Sequence, residues 1–445
     1  MSELPATLPL LETLLASIDQ AWLAGFAHLT PDARQALARF GLCFTGKSAL
    51  PAALHEIEQG KYQPAQFLQL AAARAALQGA QVELLDNAVG QQLARPASPV
   101  MTNSVSVLPP SSPLLSAVAL WLTDIAIKGF QRAEAADLDL IESTTQQLRT
   151  EPELAPLTSL LTGWVAEMGR LVPATAGASL PLRRWVDIWC HLLLLTVALP
   201  ADQVDRPVSG KLHLLGLEQR SHEQFYSLLF HGLLLGDSTA QWVKITLSAA
   251  KVNAIPPEEA ALLLPDALPL FQALQKQKSL QIEQMPLRAS GDLLWQPQGA
   301  SNGASFKLAK LIADYLVPAA PQPFALPSGL PANAHPLHWR QPVGFTNFSV
   351  ADGWLTAGSH RFRLDERRSV DTELAPANMA AAELVVGLLR YEDGALLLQP
   401  ILATSKQGSV IFSGSSKTLP ILLKPPKNTT VSMLQERASR LLRMS

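Results

Sequence analysis

The sequence predicts an α+β multi-domain protein, with a helical N-terminal half and β-rich central and C-terminal modules. Three observations predict it. Apolar residues recur at helical spacing up to residue 199, the hydrophobic period shortens to two beyond residue 206, and proline-rich stretches interrupt the chain twice. A chain of 445 residues has room for about two to four domains, and its 48% apolar content can fill real cores.

The first ninety-two residues (1–92) read as a helical domain. Leu8, Leu11, Leu14, Leu15 and Ile18 make one apolar stripe. Thr30 and Pro31 supply an N-cap and first-turn pair for a helix over 32–40, with Gly41 as its terminator. A third helix is expected over 64–85, rich in Ala, Leu and Gln, which lose little rotamer freedom in a helix. Residues 93–113 read as an extended linker: 95–113 hold five prolines, and proline removes a donor and restricts its predecessor.

A second helical domain follows over 114–205. Leu115, Val118, Leu122, Ile125 and Phe130 mark a buried face, and further helices are expected over 134–149, 153–171 and 181–199. The most apolar window, Trp185 to Leu199, contains Asp187 and His191 and is shorter than the ~20 residues that cross a bilayer, so it reads as a buried helix.

Residues 206–316 read as a mixed β/α module. Val243, Ile245 and Leu247 alternate with Lys244, Thr246 and Ser248, the pattern of a half-buried strand. Leu233 to Gly236 leads toward a turn at Asp237, the stretch Phe225 to Phe230 fits helix or strand, and Ser305 to Leu316 fits a short amphipathic helix. Seven prolines between 318 and 342 place a second linker over 317–342. A β-rich C-terminal domain is expected over 343–428. There Asp352-Gly353 and Asp393-Gly394 each sit between apolar runs, and both residue types tolerate the positive φ of a tight hairpin turn. Phe362 and Leu364 alternate with Arg361 and Arg363 as another strand, and 429–445 ends in a basic helix over about 430–443.

Charge and cysteine usage restrict the function classes. A net charge of −2 and a pI near 6.5 give no global field for holding nucleic acid. No positive n-region precedes the first apolar run, where Glu3 stands instead, so no secretory leader is expected. Cys43 and Cys190 are too few for a disulfide framework or a thiolate cluster, which fits a reducing cytoplasm and no membrane association.

No motif carries a convincing reaction, and no enzyme activity, cofactor or metal is expected. Gly41 to Ser48 matches the phosphate-loop pattern literally, but that chemistry needs a strand before the loop and a helix right after Lys47-Ser48. Here a helix precedes it and Pro51 follows, so Gly41 reads as a helix end. The nine histidines (His28, His55, His191, His213, His222, His231, His335, His338 and His360) are scattered. His335 and His338 lie close in sequence, with no cysteine or carboxylate beside them, and zinc wants three or four convergent ligands. Gly236 to Ala240 resembles a nucleophile elbow but lacks the last glycine and leads into a strand. Trp121 and Trp185 fit core packing, and the pairs Asp137 with Asp139 and Glu258 with Glu259 fit solvated faces.

The tail is the one charge asymmetry. Lys406, Lys417, Lys424, Lys427, Arg437, Arg440 and Arg443 face Glu436 alone. Ser432 and Gln435 offer a capping box, with Val431, Leu434, Ala438 and Leu441 as an apolar stripe. Such a helix docks on an acidic surface, touches nucleic acid, or packs on its own body with basic residues complementing its dipole.

Four segments, in order, resemble bacterial SWIM zinc-finger proteins encoded beside AAA+ ATPases and von Willebrand A proteins. They are Gly41-Leu42-Cys43 with Gly46-Lys47-Ser48; SAVALWLTDIAIKGF over 116–130; GLLLGDSTAQWVKITLS over 232–248 with AALLLPDALPLFQAL over 260–274; and Asp352-Gly353-Trp354-Leu355. The family's finger is a Cys-x-Cys pair followed by Cys-x-His. Between Lys47 and Arg95 this sequence has no cysteine and only His55, so the finger is degenerate and no zinc ligand carries over. The resemblance implies a non-enzymatic adaptor or scaffold whose partners are an AAA+ ATPase and a von Willebrand A protein. The alternatives are a nucleic-acid-binding accessory protein using the basic tail and a nucleotide-binding protein using Gly41 to Ser48.

Overall fold

Helices form where apolar residues recur every three to four positions and strands where they alternate, and each type dominates one part of the chain. The structure, a computed structural model, describes residues 4–44, 48–95, 105–107, 112–173, 180–200, 206–221, 225–236, 239–252, 254–326, 335–369, 373–392 and 394–444. Among these residues no helix is long and apolar enough to cross a membrane.

The N-terminal half holds α1 (Thr7–Ala24), α2 (Pro31–Leu42), α3 (Leu50–Glu58), α4 (Pro64–Gln92), α5 (Pro113–Lys128), α6 (Ala135–Asp139), α7 (Glu142–Leu148), α8 (Ala155–Leu171) and α9 (Leu182–Leu195). Thr30 Oγ1 accepts from Ala33 N at 3.2 Å and Pro31 opens α2. Gly41 does not terminate that helix. It takes no positive φ, so the helix continues through Leu42 and Cys43 caps it. The single helix expected over 134–149 is two, α6 and α7. The helix expected over 64–85 runs to Gln92. At 29 residues α4 is roughly 43 Å long, enough to leave the helical body and reach a second core.

The helices on either side of 93–113, which sequence analysis divides into two domains, share one core. Trp22, Phe26 and Phe67 pack in the same cluster as Trp121, Trp164, Trp185 and Trp189. The Trp22 and Trp189 rings meet edge-on at 5.3 Å. Two chain reversals seat against each other: Gly25 after α1 and Gly129 after α5 both have φ of 91°. A β-carbon on either would overlap the backbone at the other reversal, at the Lys128 carbonyl or at Ala24. Of the expected linker, the described part beyond Arg95 is β1 (Val105–Val107), which pairs antiparallel with β2 (Ala198–Pro200).

The central module is an antiparallel sheet in the order β5-β4-β3-β6-β7. Its strands are β3 (Arg206–Ser221), β4 (Phe225–Leu235), β5 (Ala240–Ala250), β6 (Lys278–Leu287) and β7 (Ala300–Ser305), so Phe225 to Phe230 is strand. One face is covered by α10 (Leu268–Gln275), with Phe271 meeting Phe230 edge-on at 5.1 Å. After β7, α11 (Leu308–Tyr315) buries Leu308, Leu311 and Ile312.

The C-terminal sheet runs β8-β12-β13-β11-β10-β9. Its strands are β8 (Gln341–Thr346), β9 (Ser349–Ala351), β10 (Trp354–Ala357), β11 (His360–Leu364), β12 (Ala382–Glu392) and β13 (Ala395–Ser405), with β14 (Val410–Ile411) also on β13. The short helices α12 (Glu366–Ser369) and α13 (Pro376–Met379) lie against it, α14 (Thr418–Leu423) packs on α10 of the central module, and α15 (Thr430–Met444) follows. Asp352 and Gly353, at φ of 51° and 74°, turn β9 into β10. In the second hairpin Glu392 pairs with Ala395, and Asp393 lies outside the described residues.

The β8, β12 and β13 strands of this sheet are buried on both faces, which explains the unbroken apolar run Leu384 to Leu389, whereas β9, β10 and β11 keep exposed positions. Leu384, Val386, Leu388 and Ile401 share a core with the central sheet. Val385, Leu389 and Tyr391 share another with Leu8 of α1 and Leu85 and Val89 of α4. The β-rich segment over 343–428 is therefore packed between its neighbours. The described ends of 317–342 are packed as well. Ala325 bridges to β5, with Trp242 N donating to Ala325 O at 2.9 Å, and Gly344 N of β8 donates to Leu316 O at 3.0 Å. Lys244 N donates to Gly291 O at 2.9 Å, further along the outer edge of β5.

Candidate functional site

Buried ionisable groups concentrate where the three cores meet, and the segment His335 to Arg340 runs through that junction. It begins on α4. Arg74 is fully buried and grips Asp19 of α1 with two parallel hydrogen bonds of 2.9 Å from Nε and Nη2. Its Nη1 donates to Asp187 Oδ1 of α9 at 2.5 Å, where Gln78 Nε2 also donates at 2.8 Å. Asp187 Oδ2 then takes His335 Nε2 at 3.0 Å. Leu337 N donates to His335 Nδ1 at 3.0 Å, which leaves Nε2 as the ring nitrogen that donates to Asp187.

These contacts set the charges. Burial alone would raise the Asp187 carboxyl, but the Arg74 guanidinium and the His335 hydrogen bond hold it well below the usual carboxylate range. Asp19 is raised because burial outweighs the Arg74 charge. The Cys190 thiol nearby is pushed up to about 12 by burial, an inert thiol rather than a nucleophile.

Further along the segment, Trp339 Nε1 donates to Asp86 Oδ1 of α4 at 2.7 Å. His338 and Arg340 approach a second polar group, set between the two sheets. Along β3 a register shift after Leu214 turns Gly216, Glu218 and Arg220 toward the C-terminal sheet. Gly216 meets the Ile401 side chain, and the next position is polar. Glu218, buried, contacts His231 Nε2 at 2.7 Å through one oxygen. The other accepts from Arg220 Nη2 at 3.0 Å and from Gln399 Nε2 at 3.1 Å. Gln399 Oε1 in turn accepts from Arg390 Nη1 at 2.8 Å. Burial would raise Glu218, but His231 and Arg220 hold it well below the usual range.

In the sequence no carboxylate stands beside His335 and His338. Asp187 supplies one, brought in from 148 positions away. The two rings lie 5.7 Å apart. Among the described residues no group of three or more His, Cys, Asp and Glu could hold a metal ion. His222 lies outside the described residues.

The other sequence candidates fall elsewhere. Gly41 and Leu42 are helical and Thr45, Gly46 and Lys47 lie outside the described residues, while Ser48 Oγ accepts from Leu50 N at 3.2 Å at the start of α3. Asp237 and Ser238 also lie outside, and Ala240 opens a strand. Trp121 and Trp185 are core residues, donating to Asp137 O and Glu167 Oε1. Asp137 is not merely solvated: it completes a capping box with Glu134 and holds Lys128 at 2.7 Å. Glu259 accepts from Val431 N at 3.3 Å, anchoring the first turn of α15. The cap of that helix is Thr429, whose Oγ1 accepts from Ser432 N at 3.1 Å, rather than a Ser432 and Gln435 box. Beyond Val431, which is buried, Leu434 is half-buried and Ala438, Arg437 and Arg440 are exposed, so among the described side chains of the expected stripe only the first turn is docked; the Leu441 side chain lies outside them.

No protein-family model matches the sequence, and no curated protein matches it. Arg74, Asp187, Glu218 and Arg390 were not singled out from sequence. A signal did exist: Arg74 is the only cation between Lys61 and Arg95, and it falls on the buried stripe Leu70, Ala71, Leu77.

Proposed function

We propose that the protein is a non-enzymatic adaptor, which fixes a helical body and two sheets in one arrangement and offers its outer surfaces to protein partners. The observation that carries this reading is how the junction uses its acid–base groups. His335, Trp339 and their carboxylate partners Asp187 and Asp86 join segments far apart in sequence, and each is engaged by another residue of the chain. Groups held in that way register modules; they do not reach out to a substrate.

On the resemblance of the four segments, the partners are an AAA+ ATPase and a von Willebrand A protein. The part of α15 beyond Val431 supports a contact role, because it carries exposed Arg437 and Arg440 on a helix that its own body leaves largely uncovered. The test is affinity purification of a tagged copy at moderate salt, with and without ATP, followed by mass spectrometry. Stoichiometric recovery of either partner supports the reading, and consistent recovery of neither counts strongly against it.

A second reading, a nucleic-acid-binding accessory protein, is favoured by the exposure of Lys417, Lys424, Lys427, Arg437 and Arg440. It requires binding that weakens steeply with salt and is lost when the chain is cut after Asn428. Salt-insensitive or absent binding dismisses it.

A further inference from the structure

We propose that the end of the seam between the two sheets, at Arg340 and Arg390, is a binding site for a phosphate-class oxyanion. The two arginines are neighbours by register. Leu389 of β12 faces Gln341 of β8, so Arg390 and Arg340 occupy the next pair of positions along the two strands. Neither forms an ion pair among the described residues, although three carboxylates lie around them.

Each carboxylate is already engaged. Glu218 is shared by His231, Arg220 and Gln399. Asp365 and Glu392 are held by Arg368, at 3.2 and 3.5 Å. Arg340 donates through Nη1 only to the backbone oxygens of Leu337 and Trp339, at 2.7 and 2.6 Å. Arg390 is 3% exposed, donates through Nη1 to a neutral amide, and has a buried Nε with no partner. A buried N–H donor without an acceptor is costly, and Arg390 feels the charges of Glu218, Asp365 and Glu392 without a direct ion pair to any of them.

The local field agrees with that geometry. Burial first, and the positive charge of Arg390 second, push Arg340 down to about 9. Burial and Arg368 push Arg390 down to about 10. Both groups remain cationic at neutral pH, Arg340 against the repulsion of Arg390, so an anion placed between them is attracted to both. A monocarboxylate neutralises one such group. A phosphoryl dianion has the charge and the oxygens to engage two guanidinium forks together. The site opens to solvent at this end: Arg340 is half-buried, and the Arg220 and Arg368 side chains are 47% and 38% exposed.

The test is calorimetric titration of the full chain with inorganic phosphate, and separately with glycerol 2-phosphate, against chloride at equal ionic strength. Saturable binding of either is expected, weakened at least about tenfold in Arg340→Gln and unchanged in Arg437→Gln on α15. Tighter binding of the ester assigns the site to a phosphomonoester; binding of inorganic phosphate alone assigns it to the free ion. Binding no stronger than chloride overturns the proposal, as does binding that Arg340→Gln leaves intact. Should that variant not fold, phosphate must protect Arg340 of the wild type from phenylglyoxal, read by peptide mass spectrometry. Modification that proceeds unchanged in phosphate overturns it equally.

Discussion

Asp187 Oδ2 lies 3.0 Å from His335 Nε2, joining α9 of the helical body to the segment that enters the C-terminal sheet. The same carboxylate answers Arg74 from the other side. One residue thus couples the interior of the first core to the start of the β8 strand.

Arg74 is the group that makes this tolerable. Arg74→Met leaves Asp19 and Asp187 buried and facing each other, with an expected loss of about 3–5 kcal/mol. The denaturation midpoint of the variant measures it, and a midpoint within error of wild type removes Arg74 from this role.

His335 acts on its own segment as well as on Asp187. Because Leu337 N donates to His335 Nδ1, His335→Ala should accelerate amide hydrogen exchange at Leu337. Protection in α1 should change little. Unchanged exchange at Leu337 would mean that Trp339 and Asp86 hold the segment without help.

His213 gives a pH dependence with a definite sign. Burial, with the Lys211 charge beside it, pushes its pKa down to about 4 from an ordinary 6.5. The unfolded chain therefore binds the proton more readily between those values. The contribution of His213 is complete above pH 6.5 and is lost as pH falls toward 4. In His213→Gln the slope of stability against pH across this window should be shallower than in wild type; parallel curves would contradict the assignment.

At Gly216 the Ile401 side chain of the C-terminal sheet packs directly on the β3 backbone. A β-carbon there would stand 2.5 Å from Ile401 Cγ1. Gly216→Ala should cost ~1–3 kcal/mol, and combined with Ile401→Ala, which removes Cγ1 and Cδ1, it should cost less than the sum of the two single variants. Strict additivity of the two substitutions would separate them.

Gly129 needs its residue type for backbone reasons. At φ of 91° and against Ala24, Gly129→Ala should destabilise by at least about 1–3 kcal/mol from the backbone alone. Thermal unfolding with the Gly163→Ala control, where a β-carbon meets nothing within 4 Å, checks it.

Local signals carried far in this sequence. The alternation around Val243 and Ile245 marks β5, Thr30-Pro31 opens α2, and Asp352-Gly353 turns a hairpin. Each depends on residues within a few positions of one another. Gly41 misled because glycine ends a helix only where the chain needs left-handed backbone, and here it does not. The junction stayed hidden for a different reason. Arg74 and Asp187 each lie on a stretch that reads as buried helix, but they are 113 positions apart, and nothing local says that one will meet the other. The shared core of α1 and α5 was equally invisible, because two similar Gly-Phe reversals signal contact only once they are seen touching.

The bridges laid along β5 and β8 also govern how these sheets meet other chains. An open edge strand is a template for another chain to add to, and repeated addition makes filaments. On β5 the amides of Trp242 and Lys244 are occupied by Ala325 and Gly291, and on β8 that of Gly344 is occupied by Leu316. Among the described residues, the edges left uncapped are β5 beyond Lys244, β7, six small residues, and β9, which is three residues long. Neither β7 nor β9 offers a long apolar rail for self-association, and the bridges at Trp242 and Lys244 shorten the one that β5 presents.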